Sequence, residues 1–145
     1  MKLDALKEIL YHLVGVLYDV HKELGPGLNE YVYQEGLEFE LKNQPIPFER
    51  EREFHPLYHG VELAATYRLD FVYMNCVIIE CKAVNRINSE HRAQLFNYMR
   101  LTKLRAGILV NFAPSFMEIE RYFYDADNNE ILTFDGKMFT NLNRE

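Results

Sequence analysis

Two kinds of hydrophobic pattern alternate along the chain, one typical of helices and one typical of strands. Apolar residues recur every three or four positions from Leu3 to Leu24, which predicts an amphipathic helix ending at Gly25-Pro26-Gly27. A second helix is predicted after Asn29, a good N-cap residue, and a third begins at Ser89 or Asn88. The remaining pattern predicts strands, in the order helix, helix, several strands, helix, strands.

The strand-like segments differ in how much of their surface is polar. The segment "FEREREF" (residues 48–54) alternates charges on both faces, which favours an edge or solvent-exposed strand. "LYHGVEL" predicts two short strands joined by a turn at His59-Gly60, and "RAGILVNF" predicts a buried strand. There are no repeats or linkers, so we expect one α+β or α/β domain over residues 1–145. Its core covers about residues 14–124, and the tail 133–145 is expected to be loosely ordered.

One segment, "LDFVYMNCVIIECKAV" (residues 69–84), places charged residues at the end of an apolar run. It predicts two strands joined near Met74-Asn75-Cys76. A three-residue loop would pair Asp70 with Glu80 and bring both carboxylates and Lys82 to one face. A two-residue loop would send the carboxylates to opposite faces. The spacing permits both arrangements.

Composition narrows the class of protein. With 145 residues, 48% hydrophobic and 26% charged, the chain has the profile of a globular domain, and its two cysteines do not suggest a disulfide. No signal peptide or membrane span is predicted, so a cytoplasmic location is expected. The net charge of −6 disfavours a general nucleic-acid binder. However, six Lys or Arg residues lie between positions 82 and 105, which leaves room for a local basic surface.

Asp70, Glu80 and Lys82 suggest a particular chemistry if they converge. Two carboxylates offer the hard oxygen ligands that Mg²⁺ or Mn²⁺ prefers, and a nearby lysine can orient water or neutralise a phosphoryl group. A buried Glu80–Lys82 ion pair, with Asp70 bonded to the backbone, explains the same residues without a function. Spacing alone leaves the two interpretations about even.

Several motifs in order resemble a known family. Asp70 followed by "ECK" resembles the D…(D/E)xK core of the PD-(D/E)XK nuclease superfamily. "GPGLNEYVY" resembles the signature of the GxxExxY protein family, and "AQLFNYM" is similar to the Q-x-x-x-Y helix motif of RecB-like and Cas4-like nucleases. The resemblance covers about residues 14–112. Leu69 replaces the proline of the superfamily's name, and Cys81 occupies the middle of the ExK tripeptide.

The resemblance implies a restriction-endonuclease-like α/β fold, with a mixed central sheet flanked by helices, and Mg²⁺- or Mn²⁺-dependent phosphodiester hydrolysis. Its metal ligands would be Asp70, Glu80 and the Cys81 backbone carbonyl. Lys82 would activate water, and Glu30 would act as an auxiliary acid and a further candidate ligand. The residues implied to position substrate or support the site are Gln94, Tyr98, Tyr33 and Arg68.

Helix-dipole preference also explains Glu30, and packing also explains Tyr33, Gln94 and Tyr98. The implied partner is nucleic acid, DNA rather than RNA, with a homodimer or a partner protein completing the substrate channel and no membrane. A non-catalytic nucleic-acid-binding or protein-interaction module on the same fold remains the alternative.

Overall fold

The computed structural model describes residues 1–143, which form three helices and nine strands. The helices are α1 (Leu3–Leu24), α2 (Glu30–Lys42) and α3 (Ser89–Thr102). The strands are β1 (Phe48–Phe54), β2 (Leu57–Tyr58), β3 (Val61–Glu62), β4 (Tyr67–Tyr73), β5 (Val77–Lys82), β6 (Ala106–Asn111), β7 (Glu118–Asp125), β8 (Glu130–Thr133) and β9 (Met138–Asn141).

Seven of these strands form one mixed sheet in the order β1-β4-β5-β6-β7-β8-β9. Neighbours pair antiparallel except β5 and β6, which are parallel because α3 crosses over between them. β1 lies at an edge, as its alternating charges predict, and β2 and β3 form a separate hairpin. The α/β fold with a mixed central sheet flanked by helices is confirmed.

The helices cover both faces of the sheet, and each face has its own core. α1 and α2 pack on one face, where the Leu10, Leu17 and Leu37 side chains are fully buried. α3 packs on the other face through Leu95 and Met99. We call these the α1/α2 face and the α3 face, because the side chain of each strand residue can then be assigned to one of them.

Two of the three helices, α2 and α3, begin at a side-chain cap. The Asn29 side chain accepts a hydrogen bond from the Val32 N–H, so α2 begins at Glu30. The Asn88 side chain accepts from the His91 N–H, and the His91 ring pairs in return with the Asn88 N–H. The Asn29 cap lies directly before Glu30, and the Asn88 cap begins the helix that carries Gln94 and Tyr98.

The C-terminal tail differs from the expectation of loose order. Residues 138–141 form β9, which pairs antiparallel with β8 and extends the sheet. Gly136, at a φ of 84°, permits the tight turn between the strands, and Phe139 packs edge-on against Phe96 and Tyr122. Arg144 and Glu145, at the end of that tail, lie outside the described residues.

An ion pair joins α3 to β7. The Arg92 guanidinium donates two 2.7 Å hydrogen bonds to the Glu120 carboxylate, which also accepts one from the Tyr122 hydroxyl at 2.6 Å. Burial opposes ionisation of Glu120, but the hydrogen bonds from Arg92 and Tyr122 outweigh it and lower the pKa of Glu120. Arg92 is therefore held by protein rather than presented to a partner.

Replacing Glu120 with glutamine is expected to destabilise the fold by about 1 kcal/mol at pH 7, since a bidentate pair lies at the upper end for partly exposed ion pairs. The lowered pKa means that this stability is present above the ordinary glutamate pKa and is lost as the pH falls through the folded value. Urea denaturation at pH 7 and in acid measures both effects. Glu35→Gln, on the exposed face of α2, is the control, and an equal loss at both pH values would contradict the assignment.

Candidate active site

The hairpin of β4 and β5 has the three-residue loop that brings the two carboxylates together. Tyr73 pairs with Val77 and Phe71 pairs with Ile79, leaving Met74, Asn75 and Cys76 in the loop. Met74 and Asn75 adopt positive φ angles of 54° and 51°. Extended by one residue, this register sets Asp70 opposite Glu80, and the three-residue loop is the one observed.

Beyond the Phe71–Ile79 pair, the side-chain carboxyl groups of Asp70 and Glu80 accept the hydrogen bonds that join β4 to β5. Glu80 Oε2 accepts a hydrogen bond from the Asp70 N–H at 2.8 Å. Asp70 Oδ2 accepts one from the Cys81 N–H, also at 2.8 Å. Each carboxyl group is therefore fixed by a backbone N–H of the opposite strand. Because the backbone is less mobile than a side chain, these bonds hold the two groups side by side.

The alternation of side chains along β4 reverses at Asp70. This reversal allows the Asp70 and Glu80 carboxyl groups to bond to each other's strand. Leu69 and Phe71 would share a face in a regular strand, but Leu69 packs on the α3 face and Phe71 on the α1/α2 face. Glu51 lies opposite Asp70 in the β1–β4 register and has a φ of 57° in mid-strand. Both strands are thus irregular at the same level, and Asp70 is released from ordinary ladder pairing.

The environment of the pair favours protonated carboxyl groups. Burial raises the pKa of Glu80 well above its ordinary value, and the neighbouring Asp70 carboxylate acts in the same direction. Burial likewise raises the pKa of Asp70, although the Cys81 N–H and the Lys82 ammonium oppose the shift. Both carboxyl groups are therefore harder to ionise here than in water.

α3 presents two side chains to this end of β5. Lys82 Nζ donates to Gln94 Oε1 at 3.1 Å, so the lysine is restrained from the helix side. Tyr98 lies one helical turn after Gln94 and is nearly buried. Burial raises the pKa of Tyr98, and the Glu80 and Asp70 charges add to the effect. The structure thus brings Asp70, Glu80, Lys82, Gln94 and Tyr98 together.

Glu30 approaches the same site from the first turn of α2. It is half-buried, and burial followed by the Asp70 charge raises its pKa, while Lys82 opposes the shift. Glu30 Oε2 accepts a hydrogen bond from Gln34 Nε2 at 2.9 Å, and Gln34 Oε1 accepts one from Arg50 at 3.3 Å. The sequence analysis did not predict Gln34 or Arg50. Gln34 could have been found as the residue four positions after Glu30 on the same face of α2, and Arg50 as a cation in the alternating segment "FEREREF".

The Gly27, Glu30 and Tyr33 positions work together to place Glu30. Gly27 has a φ of 80°, and its N–H donates to the Ala113 carbonyl at 3.0 Å, which ties the turn to the end of β6. The fully buried Tyr33 hydroxyl donates to the Gly25 carbonyl and accepts from the Leu28 N–H. Tyr33 therefore lies in the core, and its hydroxyl group holds the loop that precedes Glu30.

Tyr33→Phe is expected to lower stability by about 1–3 kcal/mol, because it leaves the Gly25 carbonyl and the Leu28 N–H without their partner. The urea midpoint should fall with little change in the slope of the transition. Tyr31→Phe, at a neighbouring exposed ring, is the matched control. A midpoint equal to that of the wild type would show that the loop does not depend on this hydroxyl.

Arg68 and Cys81 occupy different settings. Arg68 is exposed and pairs with Glu51 at 3.8 Å, so it neutralises the carboxylate opposite Asp70. Glu51 was not anticipated, because alternation alone gives it an ordinary solvent-facing position.

The Cys81 side chain is buried on the α1/α2 face, where burial first, and then the Asp70 and Glu80 charges, raise the pKa of its thiol well above the ordinary value. Cys81 therefore offers no thiolate nucleophile.

The donor set fits a small hard cation. Each carboxyl group accepts a backbone N–H through one oxygen, Oδ2 of Asp70 and Oε2 of Glu80. Mg²⁺ is commonly bound by one or two carboxylates and completes its shell with water and phosphate oxygens. Residues 1–143 contain no group of three or more His, Cys, Asp or Glu side chains arranged to hold a metal ion. The pair is thus the whole of the preformed carboxylate set.

The mixed central sheet flanked by helices, with Asp70, Glu80 and Lys82 gathered near one end of β5, is the architecture of a nuclease-type fold. The model of the PD-(D/E)XK nuclease superfamily matches residues 7–122, and the chain belongs to that superfamily.

Among solved structures, "Crystal structure of SSO0001" is similar, with a TM-score of 0.51 and 25% sequence identity. The alignment covers 63% of this chain and 48% of that one, so the chain spans about half the length of that protein. No curated protein is significantly similar. Within the part of the chain that the structure describes, no helix has the length and apolar character needed to cross a bilayer.

Proposed function

We propose that the chain is a metal-dependent phosphodiesterase of the GxxExxY family, in the RecB- and Cas4-like branch, that hydrolyses DNA in preference to RNA. The observation that carries this proposal is the crossed pair of carboxyl groups. Asp70 Oδ2 and Glu80 Oε2 each accept a backbone N–H of the opposite strand, and Lys82, two residues after Glu80 on β5, donates a hydrogen bond to Gln94.

Asp70 Oδ1 and Glu80 Oε1 would hold Mg²⁺ or Mn²⁺, with the Cys81 carbonyl and Glu30 as further ligands, Glu30 directly or through water. A divalent cation bound there supplies a Lewis acid for the scissile phosphate and a more acidic water. The desolvated carboxyl pair favours cation binding, because a cation removes the cost of placing two like charges together.

Lys82 carries the remaining positive charge of the site. Its ammonium group would orient the attacking water and stabilise the negative charge that develops on the phosphoryl oxygens. Gln94 would hold the ammonium group in place, and Tyr98 would exclude water from the Glu80 side. Glu30, whose pKa is raised by burial, would exchange a proton with water at the edge of the site.

A non-catalytic nucleic-acid-binding or protein-interaction module is the second candidate. One observation favours it: the described residues preform no group of three or more metal-ligating side chains. In that case Asp70 and Glu80 would serve only to join β4 to β5.

Cleavage assays separate the two candidates. Wild-type protein is incubated with single-stranded DNA, duplex DNA and RNA in Mg²⁺, Mn²⁺ or EDTA. Cleavage that needs the cation and is lost in Asp70→Ala supports the enzyme, with Asp19→Ala on the exposed face of α1 as the matched control. Binding that Asp70→Ala leaves unchanged, with no cleavage of any substrate in either metal, would favour the module.

A further inference from the structure

An exposed aromatic ring, that of Tyr67, lies next to the candidate site. Tyr67 begins β4 and is 44% exposed. Its ring centroid lies 5.6 Å from that of Phe54 and 5.8 Å from that of Tyr98, which itself stands beside the carboxyl pair. Two neighbouring rings therefore fix Tyr67 from within the protein, while much of its surface remains open to solvent.

Tyr67 also lies at the base of a projecting hairpin. Residues 55–66, which we call the arm, leave the sheet between the paired residues Phe54 and Tyr67. The His55 ring pairs with the Ala65 carbonyl at 3.0 Å, which closes the arm at its base. The arm's apolar side chains remain largely exposed, namely Leu57, Tyr58, Val61 and Leu63.

The arm and the carboxyl groups lie at the same end of the sheet. β4 runs from Tyr67 away from the arm to the loop at Met74, and β5 returns toward it, so Lys82 lies at the arm end. Asp70 is three residues from Tyr67, a distance of about 10 Å along a strand. A nucleotide next to a phosphate bound at the carboxyl pair would therefore reach the Tyr67 ring.

We propose that Tyr67, supported by Phe54 and Tyr98 and flanked by the arm, is a stacking platform for an unpaired nucleobase. This inference rests on the proposed function and assigns its substrate class: nucleic acid that is single-stranded or unpaired beside the scissile phosphate. In a duplex both faces of a base are covered by neighbours, so only an unpaired or terminal base can stack on a protein ring.

The charge of the chain favours this mode of binding over one based on phosphate contacts. The net charge is −6, Arg92 is held by Glu120, and Arg68 is paired with Glu51. These two arginines are thus already paired with carboxylates of the protein, which reduces the positive charge available for phosphate contacts. Stacking on an aromatic ring needs no positive charge and tolerates any base sequence.

Binding is measured by fluorescence anisotropy in EDTA, with three labelled ligands: a short oligothymidylate, a strand of the same length made of abasic sites, and a matching duplex. Wild-type protein is expected to bind the oligothymidylate more tightly than the other two. Tyr67→Ala should weaken oligothymidylate binding by about 5- to 150-fold. Tyr67→Phe, which keeps the ring, should bind as the wild type does.

Two further variants guard against indirect effects. Tyr67→Leu retains apolar packing against Phe54 and Tyr98, so its thermal midpoint should stay near that of the wild type while its binding falls as in Tyr67→Ala. Tyr18→Ala removes a tyrosine of similar exposure on α1, on the other face of the sheet, and should change nothing.

The outcomes distinguish this inference from the proposed catalysis. Equal affinity for abasic strand or duplex, or unchanged binding by a folded Tyr67→Leu protein, would overturn the platform and leave nuclease activity to be judged separately. A shift from dimer to monomer on Tyr67→Leu would identify the surface as a contact between copies and would also overturn it. Tyr67-dependent binding by a wild-type protein that cleaves nothing would support the platform and reject the catalysis.

Discussion

Lys82→Ala is expected to lower the rate of phosphodiester cleavage by about 10²–10⁴-fold, the usual effect of removing one group that stabilises transition-state charge or transfers a proton. The lysine is positioned for this task, because its ammonium group is restrained by Gln94 at 3.1 Å and faces the carboxyl pair. Lys82→Arg should recover only part of the rate, since the guanidinium is planar and bulkier. Single-turnover cleavage in saturating Mg²⁺ provides the measurement.

Metal binding distinguishes a catalytic lysine from a structural one. Lys82 is not a ligand, so Mn²⁺ affinity measured by calorimetry should be retained in Lys82→Ala, whereas Asp70→Asn should lose it. Gln94→Ala should show a smaller loss of rate, with cation affinity unchanged, because it only frees the lysine. Lys22→Ala, at an exposed position on α1, is the control. A folded Lys82→Ala protein that cleaves normally would show that the lysine has no part in the reaction.

Asp70→Asn is expected to stabilise the metal-free protein at neutral pH while abolishing cleavage. The wild type confines two carboxyl groups in a buried setting that raises the pKa of both, and the asparagine oxygen can still accept from the Cys81 N–H. Removing one of two buried like-charged groups commonly raises the free energy of unfolding by about 0.5–2 kcal/mol. Stability and activity should therefore change in opposite directions at one position.

The pH dependence of this gain follows from the direction of the pKa shifts. The protonated pair supports the fold below the ordinary carboxyl pKa of about 4, and that support is lost as the pH rises through the raised folded values. The advantage of Asp70→Asn should thus be small in acid and should grow toward neutral pH, as followed by thermal melting in EDTA. Saturating Mg²⁺ should stabilise only the wild type. An advantage that does not vary with pH would contradict the account.

The regular elements of the fold were predictable because their residues satisfy local rules. The leucine repeat of α1, the Asn29 cap and the His59-Gly60 turn each specify one local structure and appear as expected. β9 was missed because a four-residue strand with three exposed residues carries almost no alternation signal. Its order comes from pairing with β8, which is a tertiary effect.

The geometry of the candidate site could be predicted only in part. The sequence permitted the convergence of Asp70 and Glu80, but the loop register decided it, and one loop residue, Met74, adopts a left-handed conformation that its side chain does not favour. The face reversal at Leu69 and the positive φ of Glu51 have no local signature either. Both occur where β1 pairs with β4, so they depend on two separate segments of the chain.

The crossed hydrogen bonds of the carboxyl pair also give the protein two internal reporters. The Asp70 N–H ends on Glu80, and the Cys81 N–H ends on Asp70, so each backbone amide senses the electron density of one carboxyl oxygen. Two peaks in an amide correlation NMR spectrum should therefore follow protonation of the pair and its occupation by a diamagnetic cation. The chemistry of the site can thus be observed residue by residue, without a substrate and before any bond is broken.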